Sequence, residues 1–214
     1  MKTKTKILSG IAAALLLTSG ASLAYFTDST VKNNVFTIGS IRSVLHEEKW
    51  DAYSDTNKND IPDIAENIVP LNRINKDPKI ENTGKNAFYA FIQVDMPMID
   101  AITVNAEDGS KNERAITELF EFHYNDTWQQ LSHILNDNNA TYVFGYKKVL
   151  EPGQTTDTLF DTVQFVNFIE AQGLEDQTET ITVKSMAIQS EETGTMQEAY
   201  EKFIAQNPEH KVGE

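Results

Sequence analysis

The sequence predicts an all-β protein: an antiparallel β-sandwich of jelly-roll type with a short C-terminal helix, preceded by a cleaved signal peptide. Three observations carry this expectation. From Phe88 to Met96 the side chains alternate, with Phe88, Ala90, Ile92, Val94 and Met96 on one face and Tyr89, Phe91, Gln93 and Asp95 on the other. Successive strand side chains point to opposite faces, so this is the pattern of a buried strand. Seven or eight such short stretches recur with turn signals between them, the pattern of a sandwich. Only near the end, at Thr195–Asn207, does the period become helical.

The chain begins with Lys2, Lys4 and Lys6, followed by the apolar run Ile7–Leu17 and the small-residue stretch TSGASLA. Ser22 and Ala24 occupy the −3 and −1 positions of a cut between Ala24 and Tyr25, the layout of a secretory signal peptide over residues 1–24. A permanent anchor is the rival reading, but the run falls well short of the ~20 residues that span a bilayer. No later stretch is apolar enough to serve. The expected mature protein is secreted, with no membrane anchor after cleavage.

The expected sandwich covers residues 25–192. Val35–Glu48 reads as extended. Residues 50–63 form a polar, Asp- and Asn-rich loop, and KDPKIENTG reads as a short strand ending in an Asn-Thr-Gly turn. After the strand at Phe88–Met96 comes a charged loop, Ala106–Ala115. ITELFEFHYND and TWQQLS fit either two strands of a hairpin or a short helix and a strand. Ala140–Gln154 is a strand closed by Pro152-Gly153, and DTLFDTVQFVNFI and ETITVKSMAIQ supply the last strands. In the final segment, residues 193–214, Met196, Ala199, Tyr200, Phe203 and Ile204 share one stripe behind Thr195 as N-cap.

Composition narrows the function. Of 214 residues, 40% are hydrophobic and 23% charged, enough for one core. There is no cysteine, which excludes disulfides, thiolate zinc sites and thiol nucleophiles. Lys and Arg number 18 against 32 Asp and Glu, a formal charge of −14. Such a chain repels phosphate backbones and anionic lipid heads, so nucleic acid is not an expected partner.

The order and spacing of three stretches give the chain a family likeness. These are LAYFTDSTVKNNVFTIGSI, VPLNRINKDPKIENTGKNAFYAFIQV, and the late series KVLEPGQTTDTLFDTVQF, ITVKSMAIQ and MQEAYEKF. Together they resemble the TasA/camelysin family of exported Gram-positive proteins, which a SipW-type signal peptidase releases. One departure is Pro70-Leu71, where the family usually has Pro-Gly. The resemblance implies a jelly-roll protein of the extracellular matrix or cell surface that self-associates into biofilm fibres, with accessory matrix proteins as further partners. It also implies that the freed N-terminal segment, residues 25–34, acts as a donor strand for the next subunit. Tyr25, Phe26, Val31, Val35 and Phe36 are the candidate assembly residues, and the segment contains no Pro to block strand pairing. The same segment could instead fold back as the chain's own first strand or stay disordered.

Part of that family carries a metallo-endopeptidase label, and any zinc site here would have to draw on His46, His123, His133 and His210. HEEKW starts like H-E-x-x-H but has Trp50 in place of the second histidine, on a stretch predicted to be a strand. No nucleophile elbow or phosphate loop is present. The sequence therefore favours a non-enzymatic structural protein over two alternatives, a camelysin-like peptidase and a monomeric surface-binding module. One cofactor expectation remains: Asp55, Asn57, Asn59 and Asp63 offer oxygen ligands at the spacing of a Ca²⁺ loop, against the plainer reading of a solvated turn.

Overall fold

The computed structural model describes residues 39–136, 138–169, 172–173 and 177–210. The chain divides into two units, Met1–Ile38 and Gly39–Glu214, and all the described elements belong to the second. In order it contains β1 (Ser43–His46), α1 (Glu48–Asp51), a 3-10 turn (Asp63–Ala65), β2 (Arg73–Asn75), β3 (Lys79–Asn82) and β4 (Phe88–Ala101). Then come β5 (Ala115–Glu118), β6 (Phe120–Phe122), β7 (Trp128–Leu135), β8 (Asn139–Tyr146), β9 (Thr162–Phe165), β10 (Thr182–Gln189), α2 (Met196–Gln206) and a last 3-10 turn at Pro208–His210.

All the pairings among the described strands are antiparallel. The larger sheet runs β10-β4-β8-β7, and β5 pairs with the far end of β4. A second sheet runs β2-β9-β6, and β1 pairs with β3. The expected alternation explains why the sheets pack. Phe88, Ala90, Ile92, Val94 and Met96 all sit in one core with Phe144 and Tyr146 of β8 and with Ile74, Phe120, Val163 and Phe165 of the second sheet. Two antiparallel sheets thus share a core, and each large apolar side chain buried there is worth roughly 1.5–3 kcal/mol.

The other face of β4 is not left to water. Phe91 is fully buried in a second cluster with Val143, Met186 and Ala199, beneath Met196, Tyr200 and Phe203 of α2. Thr195 caps this helix as expected: its hydroxyl accepts from the Glu198 N–H while the Glu198 carboxylate accepts from the Thr195 N–H. Such a reciprocal box satisfies two otherwise orphaned donors.

The middle segment resolves into strands, but not into a hairpin. β5 pairs with β4, β6 with β9 and β7 with β8, so Leu119, which is buried, is where the chain leaves one sheet for the other. Val35–Glu48 is also corrected within the described part: the strand is confined to Ser43–His46, and Glu48–Asp51 is helical. Lys76 fixes this short helix. It is 5% exposed, its Nζ lies 2.8 Å from Glu47 and stands over the Trp50 ring at 4.7 Å, while buried Asp77 accepts the Lys49 N–H.

The turn at Pro70-Leu71 keeps its shape without glycine. Asn72 N–H donates to the Val69 carbonyl at 3.1 Å, and Leu71 takes φ = 67°. A positive φ at that position is what a type II turn demands.

Candidate functional site

The signal-cleavage residues Ala24 and Tyr25 and the assembly residues Phe26, Val31, Val35 and Phe36 lie outside the described residues. The chain enters view at Gly39 and is immediately held. Ser40 carbonyl accepts from the Lys85 N–H at 2.9 Å, and Arg42 carbonyl from the Thr83 N–H at 3.0 Å. Gly84 allows this close approach, since a Cβ there would stand 2.7 Å from Arg42 N and Ser40 O. Residues 40–42 therefore run beside the β3–β4 turn.

The Asp- and Asn-rich loop is tightly self-bonded. Asp55 accepts the N–H groups of Asn59 and Asp60, and Asp63 accepts from Ser54 Oγ and from Thr56 N–H and Oγ1. The Thr56 N–H, helped by the two hydroxyls, holds the Asp63 carboxyl below the usual carboxylate range. Asn57 and Asn59 both turn their amide N–H groups onto Glu66 Oε1 at 2.7 Å. Glu66 is a residue that the sequence pattern alone did not single out. It stands twelfth counting from Asp55, the position of the bidentate glutamate in an EF-hand loop. Asp60, sixth in that count, has φ = 65°, where such loops place glycine. Among the described residues no group of three His, Cys, Asp or Glu side chains gathers as a metal site.

The histidines are scattered. His46 Nε2 meets Glu81 at 2.8 Å across β1 and β3, and the His210 ring lies 5.5 Å from that of Phe203. His133 stacks on Tyr142 with centroids 4.1 Å apart.

His133 and His123 stand at a feature with no clear sequence signal. β6 ends one sheet and β7 ends the other, and β6 pairs only with β9 and β7 only with β8 among the described residues. Where these edges meet, a groove of about 570 Å³ opens, lined by Met98, Ile116, Glu118, Phe122, Tyr124, Leu135 and Tyr142 among others. Ile116 is 51% exposed and Leu135 58%, high for aliphatic side chains that neighbour a core. Its aromatic lining is Phe122, Tyr124 and Tyr142, with the Phe122 and Tyr142 rings 5.3 Å apart and the Tyr124 ring 4.9 Å from that of buried Phe144. Thr117, Glu118, Glu121, His123 and Gln130 supply the polar lining. Among the described residues the outer edges of β6 and β7 have no ladder partner, and an extended segment can pair with edges of that kind.

Among the described residues no helix is long and apolar enough to cross a membrane. No family model matches the chain, and it matches neither a curated protein nor a solved structure.

Proposed function

We propose that the chain is an exported structural protein, a subunit of extracellular matrix or cell-surface fibres built by strand donation. In this reading residues 1–24 are removed by a SipW-type signal peptidase, the two sheets are connected as a jelly roll, and Tyr25–Asn34 pairs with the next subunit. The observation that best supports it is the side where the edges of β6 and β7 are unpaired among the described residues, beside exposed Ile116 and Leu135. A monomer seldom leaves such an apolar edge uncovered, because it templates association. The likeness to the TasA/camelysin family and the signal-peptide layout support the same reading from the sequence.

The test is electron microscopy of the purified exported chain, with sequencing of its first residues. Expected are fibres and an N-terminus at Tyr25. Deleting Tyr25–Asn34 should leave a folded monomer that makes none, whereas fibres from the deleted form would refute strand donation.

A second reading concerns the loop alone, where Glu66 favours Ca²⁺. Asp55, Asn57, Asn59, Asp63 and Glu66 would supply oxygen ligands once the Asn amides released Glu66 and turned their oxygens inward. Isothermal titration should give saturable heat that Glu66→Gln abolishes. No heat above dilution at millimolar Ca²⁺ sinks this reading.

A further inference from the structure

We propose that the groove between β6 and β7 binds an organic ammonium ion, a single positive charge carried on an apolar alkyl or aromatic body. The inference goes beyond the fibre-subunit reading and does not rest on it.

Size and lining select this occupant. A groove of about 570 Å³ falls within the range of small-molecule sites, roughly 300–1,000 Å³. Its walls carry two chemical characters and lack a third. Met98, Ile116 and Leu135 are aliphatic, and Phe122, Tyr124 and Tyr142 are aromatic. Ile116 and Leu135 are more than half exposed, so an apolar body laid against them would take that surface out of water. Glu118 and Glu121 add two carboxylates, whereas the lining contains neither lysine nor arginine among the described residues.

The two carboxylates differ in how they are held. Glu118 is fixed, since its Oε1 accepts the Tyr142 hydroxyl at 2.5 Å and lies 3.5 Å from His133 Nε2. Folding has already ordered this side chain, so a ligand need not order it on binding. Glu121 is exposed and makes no hydrogen bond or ion pair among the described residues. Its charge is therefore unmatched. Tyr124, 43% exposed, offers aromatic surface in the same lining. An ammonium within about 6 Å of such a ring is attracted by the ring's quadrupole.

Charge complementarity then excludes the rival ligands. An anion meets both glutamates and a chain of net charge −14, and is repelled. A neutral molecule of the same shape would fill the apolar walls and leave Glu121 unanswered. An amino sugar would answer the charge but not the aliphatic walls.

The test titrates phenethylammonium into the purified, isotopically labelled chain at low salt, where charge attraction is least screened, and follows amide and methyl chemical shifts. Expected are saturable shifts at Ile116, Tyr124 and Leu135. Phenethyl alcohol should bind about fivefold more weakly for want of the charge, and glucosamine at least as weakly for want of the apolar body. Glu121→Gln, a change at an exposed side chain, should weaken the ammonium about threefold and leave the alcohol unaffected. Glu191→Gln removes the same charge just past β10, the strand at the opposite edge of the larger sheet from β7, and should change neither. Shifts spread over the acidic surface, or equal weakening by the two substitutions, would mean diffuse attraction and overturn the site. Equal binding of ammonium and alcohol overturns the choice of a cation, and no saturable shift at millimolar ligand overturns the whole inference. The fibre reading is decided separately by microscopy and stands or falls apart from these outcomes.

Discussion

The imidazole of His133 lies flat on the ring of Tyr142, its plane 8° from parallel and its centroid 4.1 Å away, while the Tyr142 hydroxyl donates to Glu118 Oε1 at 2.5 Å. Three strands are joined by this contact, because His133 is on β7, Tyr142 on β8 and Glu118 on β5. It stiffens the wall of the groove beside β7.

Burial, and then the hydrogen bond and charge of Glu118, push the Tyr142 phenol well above its ordinary pKa. A raised native pKa means that the stabilisation is complete below the unfolded value near 10 and is lost as pH rises toward the native one. Tyr142→Phe is therefore expected to cost about 1–2 kcal/mol at pH 7, where the hydrogen bond is lost. By pH 11 the gap to the unaltered protein should narrow, because only the tyrosine form gains from ionising when unfolded. Urea unfolding at the two pH values measures this. A gap that stays constant would show that Tyr142 titrates normally.

Leu71 holds a left-handed backbone conformation in the Pro70-Leu71 turn, at φ = 67° and 43% exposed. For a residue with a Cβ that conformation costs roughly 1–2 kcal/mol. Glycine removes the strain but gives the unfolded chain more freedom, an offset of about 0.4–1 kcal/mol. Leu71→Gly should thus gain up to about 1 kcal/mol, raising the thermal midpoint by roughly 2–4 °C in a protein of this size. Calorimetry decides it, and a lower midpoint would mean that the Leu71 side chain contributes more packing than its exposure implies.

These residues also show what was legible in the sequence. The inward face of β4 could be read residue by residue, since alternation follows from strand geometry alone. The helix stripe of Met196, Ala199, Tyr200 and Phe203 was equally plain, and it explains why Phe91 on the opposite face is buried. Strand partners could not be read. Ile116-Thr117 and Phe120-Glu121 look alike locally, yet they join different sheets, because period-two patterning does not encode which edge a strand finds. For the same reason nothing in the sequence marked Ile116 and Leu135 as exposed, and the groove stayed hidden. The four-residue helix at Glu48–Asp51 is too short to show a period. Glu66 had a signal, its spacing from Asp55, but it lies three residues past Asp63, where the alternating run of Asp and Asn ends.

Asp95 ties the centre of the larger sheet together. Its carboxylate on β4 accepts from Lys184 on β10 at 3.0 Å, from Thr141 on β8 at 2.9 Å and from Gln93 on its own strand. Burial alone would raise its pKa, but the hydrogen bonds from Lys184, Gln93 and Thr141 together outweigh burial and hold it below the usual range. A depressed native pKa gives stability that is present above the unfolded value near 3.9 and lost as pH falls through the native one. Asp95→Asn should cost about 1–2 kcal/mol at pH 7 and progressively less below pH 4. Urea unfolding at pH 7 and pH 3 checks this, and an equal cost at both would assign the effect to packing.

Gly145 decides whether α2 can lie on the larger sheet. It sits on β8, and a Cβ there would overlap the Met196 sulfur and stand 3.1 Å from Leu131 Cδ1. Met196 is the first residue of α2 and can swing aside, so the single methyl of Gly145→Ala is expected to cost only about 1 kcal/mol. Gly145→Val adds two more carbons against Leu131 as well. It should lift the first turn of α2 from the sheet, expose Phe91 and lower stability by about 3 kcal/mol. Because the Thr195–Glu198 box holds that same turn, Thr195→Ala should cost about 1 kcal/mol in the unaltered background and much less once Gly145→Val has displaced the turn. Hydrogen exchange at the Ala199 and Tyr200 amides, combined with a double-mutant cycle, reads both effects. Additive costs would show that the cap and the close approach at Gly145 act independently.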